Sequence, residues 1–230
     1  HLSTSTSIVM LDKSGERHFA YYGMANDSLC VKDINEDLLK NSKIVHFGSA
    51  MALAGLDGNG ITELFKKAKV YGAITSMDVT WDSTGKWLEK IEDALYCTDI
   101  FMPSYYEAKM ISGCETPKEM RKFFKKYGIQ KLVIKLGVDG CYITDFTDEY
   151  FIETFKNIKV VDTTGAGDAF VSGFLTGMIK GWDIYRSGLF GNATASLCVA
   201  ELGATTGTKI IGEVIGFIKS NADGKTGSMF

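Results

Sequence analysis

The most chemically pointed stretch of the chain is Val160-Val161-Asp162-Thr163-Thr164-Gly165-Ala166-Gly167-Asp168-Ala169-Phe170. Val160 and Val161 suit a strand end, and Asp162 with two threonines suits a loop. Phe170, Phe174 and Met178 recur at four-residue spacing, which predicts one apolar stripe on a helix beginning near Gly165. A Gly165-Ala166-Gly167 turn leaves backbone N–H groups bare at the helix N-terminus, where partial positive charge favours a phosphate. Asp168 falls in the first turn, beside any phosphate held there. A carboxylate so placed can accept the proton of a hydroxyl that attacks that phosphate. A plain glycine turn before an acidic helix start explains the glycines but not the whole ordered run.

Other residues carry weaker chemistry. Asp78, Asp82 and Glu89 have the acidic spacing of a calcium loop, but Ser83 stands where that loop requires glycine, so calcium is not expected. Asp78 instead follows the apparent strand Tyr71–Met77 and sits at its carboxyl end, where it could face phosphate, metal or sugar. Gly55, Gly58 and Gly60 match neither a dinucleotide fingerprint nor a phosphate loop, and read as a flexible loop. Glu107 lies near an expected helix start, where an acid is favourable on dipole grounds alone. Lys135 ends the apolar run Leu132-Val133-Ile134, a position where most lysines are simply solvated. Asn192 sits mid-helix, where asparagine is a poor helix former.

Positioning these residues requires alternating strands and helices. Ser7–Leu11 and Arg17–Tyr22, around a polar turn over Asp12–Glu16, read as a hairpin. Strands are expected at Lys43–Phe47, Tyr71–Met77, Asp99–Met102, Lys131–Leu136, Cys141–Thr144 and Tyr150–Phe155. Helices are expected at Ile61–Lys69, Gly85–Tyr96, Gly165–Lys180, Ile184–Glu201 and Gly212–Ser220. Thr116-Pro117-Lys118-Glu119 opens a further helix with an N-cap, a first-turn proline and a third-position acid, stopped at Gly128. Repeated βα units predict an α/β fold with a mostly parallel sheet and helices on both faces. Ligands of such sheets lie beyond the strands' carboxyl ends, and Ser104/Glu107, Gly137 and Asp162–Asp168 all follow strands.

Asp162 to Asp168 reproduce D-T-x-G-A-G-D, and on that motif the chain resembles the ribokinase-like (PfkB) carbohydrate kinases. Val133–Gly137 with Gly140 resembles that family's nucleotide-site strand and turn, Pro103–Ala108 its N-x-x-E element with Ser104 in place of Asn, and Gly203-Ala204 its helix-closing pair. The resemblance implies transfer of the γ-phosphoryl of ATP, with Mg²⁺, to a sugar hydroxyl. It implies Asp168 as base, Gly165, Ala166 and Gly167 as anion hole, and Lys135, Gly137, Gly140 and Asn192 beside the nucleotide. Glu107 and Asp78 would organise Mg²⁺ through water, while Asp162, Thr164, Glu201 and Gly203 would hold K⁺ as in some members. The hairpin, with Arg17, would be part of a β lid over the sugar and a route to a homodimer. The expected organisation is a partial lid over residues 1–30, an α/β nucleotide-binding core over 31–220 and a flexible tail over 221–230. Against the family pattern the first quarter to third, with its early Gly-Gly sugar motif, has no counterpart here.

A chain of 230 residues can bury one good core. Its formal net charge of −3 gives no electrostatic reason to expect nucleic acid or an anionic membrane as partner. No apolar run approaches membrane-spanning length and no basic-then-apolar leader opens the chain, so a cytoplasmic protein is expected. Five scattered cysteines without C-x-x-C spacing suit reduced thiols, and three histidines leave little for a metal cluster. Two rivals stand beside a sugar kinase. One is a nucleoside or phosphosugar kinase of the same family, the latter disfavoured because Arg17 is the only arginine in the lid candidate. The other is a non-catalytic kinase-like binding protein, disfavoured because Gly165, Gly167 and Asp168 are all present.

Overall fold

The computed structural model describes residues 2–11, 13, 17–221 and 224–230. They form two compact units, His1–Thr98 and Asp99–Phe230, a division distinct from the expected lid and core.

In the first unit, β1 (Thr6–Leu11) and β2 (Arg17–Tyr22) pair antiparallel from Thr6↔Tyr22 to Leu11↔Arg17, as the two β-prone runs predict. Apart from Lys13, the turn between them lies outside the described residues, as does the side chain of Arg17. Short helices α1 (Ala25–Ser28) and α2 (Glu36–Asn41) lead to β3 (Ile44–Ala50), α3 (Asn59–Val70), β4 (Ile74–Val79) and α4 (Leu88–Leu95). Strands β3 and β4 pair parallel, Ile44 opposite Ile74. Helix α3 buries Ile61, Leu64, Phe65 and Ala68, the face its periodicity marks.

Two readings of this unit change, and Asp82 takes a role its sequence position did not indicate. Tyr71 closes α3 and Gly72 turns the chain at φ 79°, so the strand begins at Ile74 and Asp78 lies inside it, buried, its Oδ1 accepting the Val79 N–H. The Gly55–Gly60 stretch is a helix entrance rather than a flexible loop: Gly58 is the N-cap of α3 and Gly60 lies within the helix. Asp82 is a buried structural carboxylate. It accepts the N–H groups of Thr84, Lys86 and Trp87 and the Thr84 hydroxyl, and pairs with Lys90 at 3.0 Å. Burial alone would raise its carboxyl, but the donors from Trp87, Thr84 and Lys90 outweigh it and hold the group below the usual carboxylate range.

In the second unit, β5 (Ile100–Phe101), α5 (Tyr105–Ser112) and α6 (Pro117–Lys125) precede β6 (Lys131–Lys135), β7 (Cys141–Thr144) and β8 (Glu149–Ile152). Helices α7 (Ala166–Ile179), α8 (Ile184–Val199), α9 (Ile211–Asn221) and α10 (Gly224–Gly227) follow. The α6 start carries the capping box read from Thr116 and Glu119. Parallel pairing holds for β5 and β6, but β7 and β8 run antiparallel, so the sheet is mixed. The reason is connection length: β6–β7 and β7–β8 are joined by tight turns, whereas a parallel crossover needs a dozen or more residues.

Phe170, Phe174 and Met178 pack into one core with Val133, Ile143 and Phe190, so the α7 stripe is as read. Helices α7 and α8 approach at Gly173, where a Cβ would lie 2.6 Å from Thr194 Oγ1. The last residue packs rather than hanging loose: the Phe230 ring lies 5.1 Å from Trp182, and the Arg186 guanidinium stacks over both. Among the described residues, no helix is long and apolar enough to cross a membrane.

Candidate active site

The candidate site gathers where β5, β6 and the start of α7 end or begin, all within the second unit. Parallel pairing of β5 and β6 carries on past β5 as an isolated bridge between Ser104 and Lys135, and the Lys135 N–H donates to Pro103 O at 2.9 Å. The loop after β5 and the end of β6 are thereby held side by side. Ser104 then starts α5 by a reciprocal capping box: its N–H donates to Glu107 Oε2 at 2.7 Å and its hydroxyl accepts the Glu107 N–H. Glu107 therefore has a structural duty that leaves only part of its carboxylate for other partners. The S-x-x-E signature of this box is present in Ser104-Tyr105-Tyr106-Glu107, a signal the sequence reading passed over.

Residues Gly137–Asp139 form a single 3₁₀ turn between β6 and β7, closed by the Leu136 N–H on Gly140 O. Gly137 is exposed at φ 62°, while Gly140, at φ 93°, is buried. A Cβ on Gly140 would collide with Ile152 O as β8 passes, so this position admits only glycine. Asn192 is also buried, and its side-chain amide donates to Ile152 O at 2.9 Å and Glu153 O at 3.2 Å. It anchors the exit of β8 instead of opening onto the surface.

Helix α7 opens from Gly165, which holds the left-handed conformation at φ 78°. Its α-helical ladder first closes with the Ala169 N–H on Gly165 O; the Ala166 N–H donates to Thr163 O at 3.3 Å, so the amides of Gly167 and Asp168 stand ahead of the ladder. Gly165, Ala166 and Gly167 are partly exposed and Asp168 is exposed. Lys135 reaches this helix start from β6, its Nζ lying 3.5 Å from the point a Cβ on Gly167 would take. A cation, the first-turn amides of Gly167 and Asp168 and an exposed carboxylate thus share one helix end, an arrangement that can hold an anion while removing a proton next to it.

The loop leading into α7 is clamped from both sides. Asp162 Oδ1 accepts the Thr164 N–H at 2.9 Å and Oδ2 accepts the Gly203 N–H at 3.0 Å. The N–H groups of Val161 and Asp162 donate to Val199 O at the end of α8. Asp162, Thr164 and Gly203 are therefore brought together, and Glu201 lies exposed just beyond α8. Asp78 and Arg17 belong to the first unit. Among the described residues, no group of three or more His, Cys, Asp or Glu could hold a metal ion.

A family model for pfkB family carbohydrate kinases matches residues 1–211. A protein of Archaeoglobus fulgidus, known as an uncharacterized sugar kinase, is 30% identical over 204 residues, 89% of this chain and 80% of that protein. The ATP-dependent 6-phosphofructokinase of Thermoanaerobacterium thermosaccharolyticum is 31% identical over 206 residues, 87% of this chain and 64% of that enzyme. The chain thus spans less than two thirds of the phosphofructokinase it matches. Among solved structures, ribokinase from Thermotoga maritima superposes with a TM-score of 0.78 at 25% identity, over 95% of this chain and 70% of that one. An E. coli protein assigned as ribokinase II, in complex with ATP and Mg²⁺, gives 0.81 at 26% identity over 96% and 72%. The expected ribokinase-like α/β fold with a small N-terminal hairpin is borne out.

Proposed function

The chain belongs to the pfkB family of carbohydrate kinases, and from that membership and the geometry of the α7 start we propose that it transfers the γ-phosphoryl group of ATP to a hydroxyl of a small sugar. The observation that carries this reading is the convergence of the Lys135 ammonium, the Gly165–Asp168 amides and the Asp168 carboxylate on one helix end. Phosphoryl transfer needs little covalent help from a protein; it needs positioning and charge stabilisation.

The residues fit the groups the reaction requires. Amides at a helix N-terminus with an adjacent lysine suit a polyphosphate. Mg²⁺ keeps much of its water and needs few protein ligands, so Glu107, partly exposed and using Oε2 in its cap, suits contact through water. Bound there, Mg²⁺ would neutralise charge on the phosphates. Asp168 takes the proton from the acceptor hydroxyl, and the amides of Gly165 to Asp168 stabilise the charge that develops on the transferring group. Lys135 holds the phosphates, and the exposed turn at Gly137 lies open to the nucleotide. Gly140 and Asn192 act one layer back, by fixing β8 against that turn. The Asp162, Thr164 and Gly203 clamp, with Glu201, is the place for a monovalent cation that stiffens the loop. The β1–β2 hairpin, with Ile8, Val9, Met10 and Tyr22 exposed, is the face for a homodimer.

The test is ATP consumption with Mg²⁺ across a panel of neutral sugars, nucleosides and sugar phosphates. Turnover that depends on a neutral sugar is expected. Turnover only with a nucleoside or a sugar phosphate would move the acceptor class, and no acceptor-dependent turnover at all would overturn the reading.

A further inference from the structure

Cys198, like Asp162, is a side chain that touches both loops of this site. It lies in the last turn of α8, fully buried. Its Sγ stands 3.4 Å from Ala204 O and 3.7 Å from Thr164 O, so its single S–H is shared between the two carbonyls while the sulfur packs against both. The two carbonyls belong to different segments, one on the turn after α8 and one on the loop into α7.

The Ala204 carbonyl matters for the site itself. It lies 2.6 Å from the position a Cβ on Gly165 would occupy, so it is packed against the bare α-carbon from which α7 opens. A shift of that carbonyl would shift the first amides of the helix or open a gap beneath them. The same two segments are tied by the Gly203 N–H on Asp162 Oδ2, and the α8 end holds Val161 and Asp162 through Val199 O. Those ties are backbone or carboxylate bonds; Cys198 adds a contact from the buried side.

We propose that Cys198 is a positioning residue of the phosphoryl-transfer site, its thiol pinning the Gly203–Ala204 turn and the Asp162–Thr164 loop together so that the Gly165–Asp168 amides are held in one orientation. This deepens, and rests on, the kinase reading above. Burial, then the negative charges of Asp162 and Asp168, push the thiol up, so it remains an S–H donor at neutral pH and is not a nucleophile. Positioning of amides aimed at charge that develops during transfer should act on turnover more than on nucleotide affinity.

The test compares Cys198→Ala, which removes the donor, with Cys198→Ser, which keeps one. In the unliganded protein, amide hydrogen exchange over 162–168 and 203–206 is measured in each. In Cys198→Ala both segments should exchange faster together, by about tenfold, while β6 and the middle of α7 are unchanged; Cys198→Ser should stay near the parent. With ATP and the acceptor found in the panel, Cys198→Ala should lose about tenfold or more in kcat. Its affinity for the non-hydrolysable analogue AMP-PNP should hold within about threefold, and the serine variant should recover most of the turnover. Exchange that is unchanged, or that rises in one segment only, would overturn the proposal. So would a serine variant as slow as the alanine one. If the parent protein turns over no acceptor, the kinase reading fails, and the exchange measurement still decides whether Cys198 couples the two loops.

Discussion

The ammonium of Lys135 ends 3.5 Å from the point where a Cβ on Gly167 would stand, which places the cation at the end of β6 against the first turn of α7. A cation beside the N-terminal turn of a helix adds to the partial positive charge there, and together they suit a bound phosphate. Lys135→Met should weaken AMP-PNP binding by about ten- to a hundredfold, one charge-assisted contact being worth ~1.5–3 kcal/mol, with little change in melting temperature. Calorimetric titration checks this; unchanged affinity would remove Lys135 from the nucleotide site.

Asp168→Asn keeps the size of the side chain and removes the base. Turnover should fall by about 10²–10⁴ while nucleotide affinity survives, because the amides and Lys135 hold the phosphates. A loss in kcat smaller than about tenfold, measured at saturating substrate, would assign the proton to another acceptor.

Gly165→Ala adds a Cβ where φ is 78° and Ala204 O lies 2.6 Å away. The strain and the displaced carbonyl together should destabilise the protein by about 1–3 kcal/mol and abolish most activity. Thermal unfolding should show a lower midpoint. A variant of parental stability would mean that the Ala204 turn yields freely, which also bears on Cys198.

Asp82 concerns stability alone. Its carboxyl is held below its ordinary value in the folded protein, so its contribution is complete above the unfolded value near about 4 and is lost as pH falls through the lower folded one. Asp82→Asn should cost about 2–4 kcal/mol at neutral pH, since Lys90 and three N–H groups lose a buried charged acceptor. The parent should lose stability more steeply than the variant between about pH 4 and pH 2. Parallel curves in acid urea titrations would argue against the assignment.

Monovalent cations give a further check. If the Asp162, Thr164 and Gly203 clamp takes K⁺, activity at equal ionic strength should be higher in K⁺ than in Na⁺ or a bulky organic cation. Equal rates in all three would leave the clamp a purely internal device of Asp162.

Local chemistry made much of this protein legible in its sequence. The capping box of Thr116 and Glu119, the Gly165 start of α7 and the Phe170/Phe174/Met178 stripe all depend on residues within a turn or two of one another, and all form as read. The box of Ser104 and Glu107 is equally local, its S-x-x-E spacing coinciding with the family's metal-organising element. Asp82 is also surrounded by near neighbours, but most of what it binds are backbone N–H groups of its loop, which residue types do not mark. The reversal of β7 lay in connection length, a clue outweighed by the repeated βα pattern.

Only the tertiary structure decided the contacts that build the site. Lys135 and Gly167, Gly165 and Ala204, Asn192 and Ile152, and Cys198 with its two carbonyls are each about 30 or more residues apart or lie on separate elements, save for the turn linking Cys198 to Ala204. A sequence records residue type and local period; it carries no direct measure of which backbone carbonyl will press on which bare α-carbon. That choice follows from how α7 and α8 pack on the mixed sheet, where burial of their apolar faces fixes the loops at their ends.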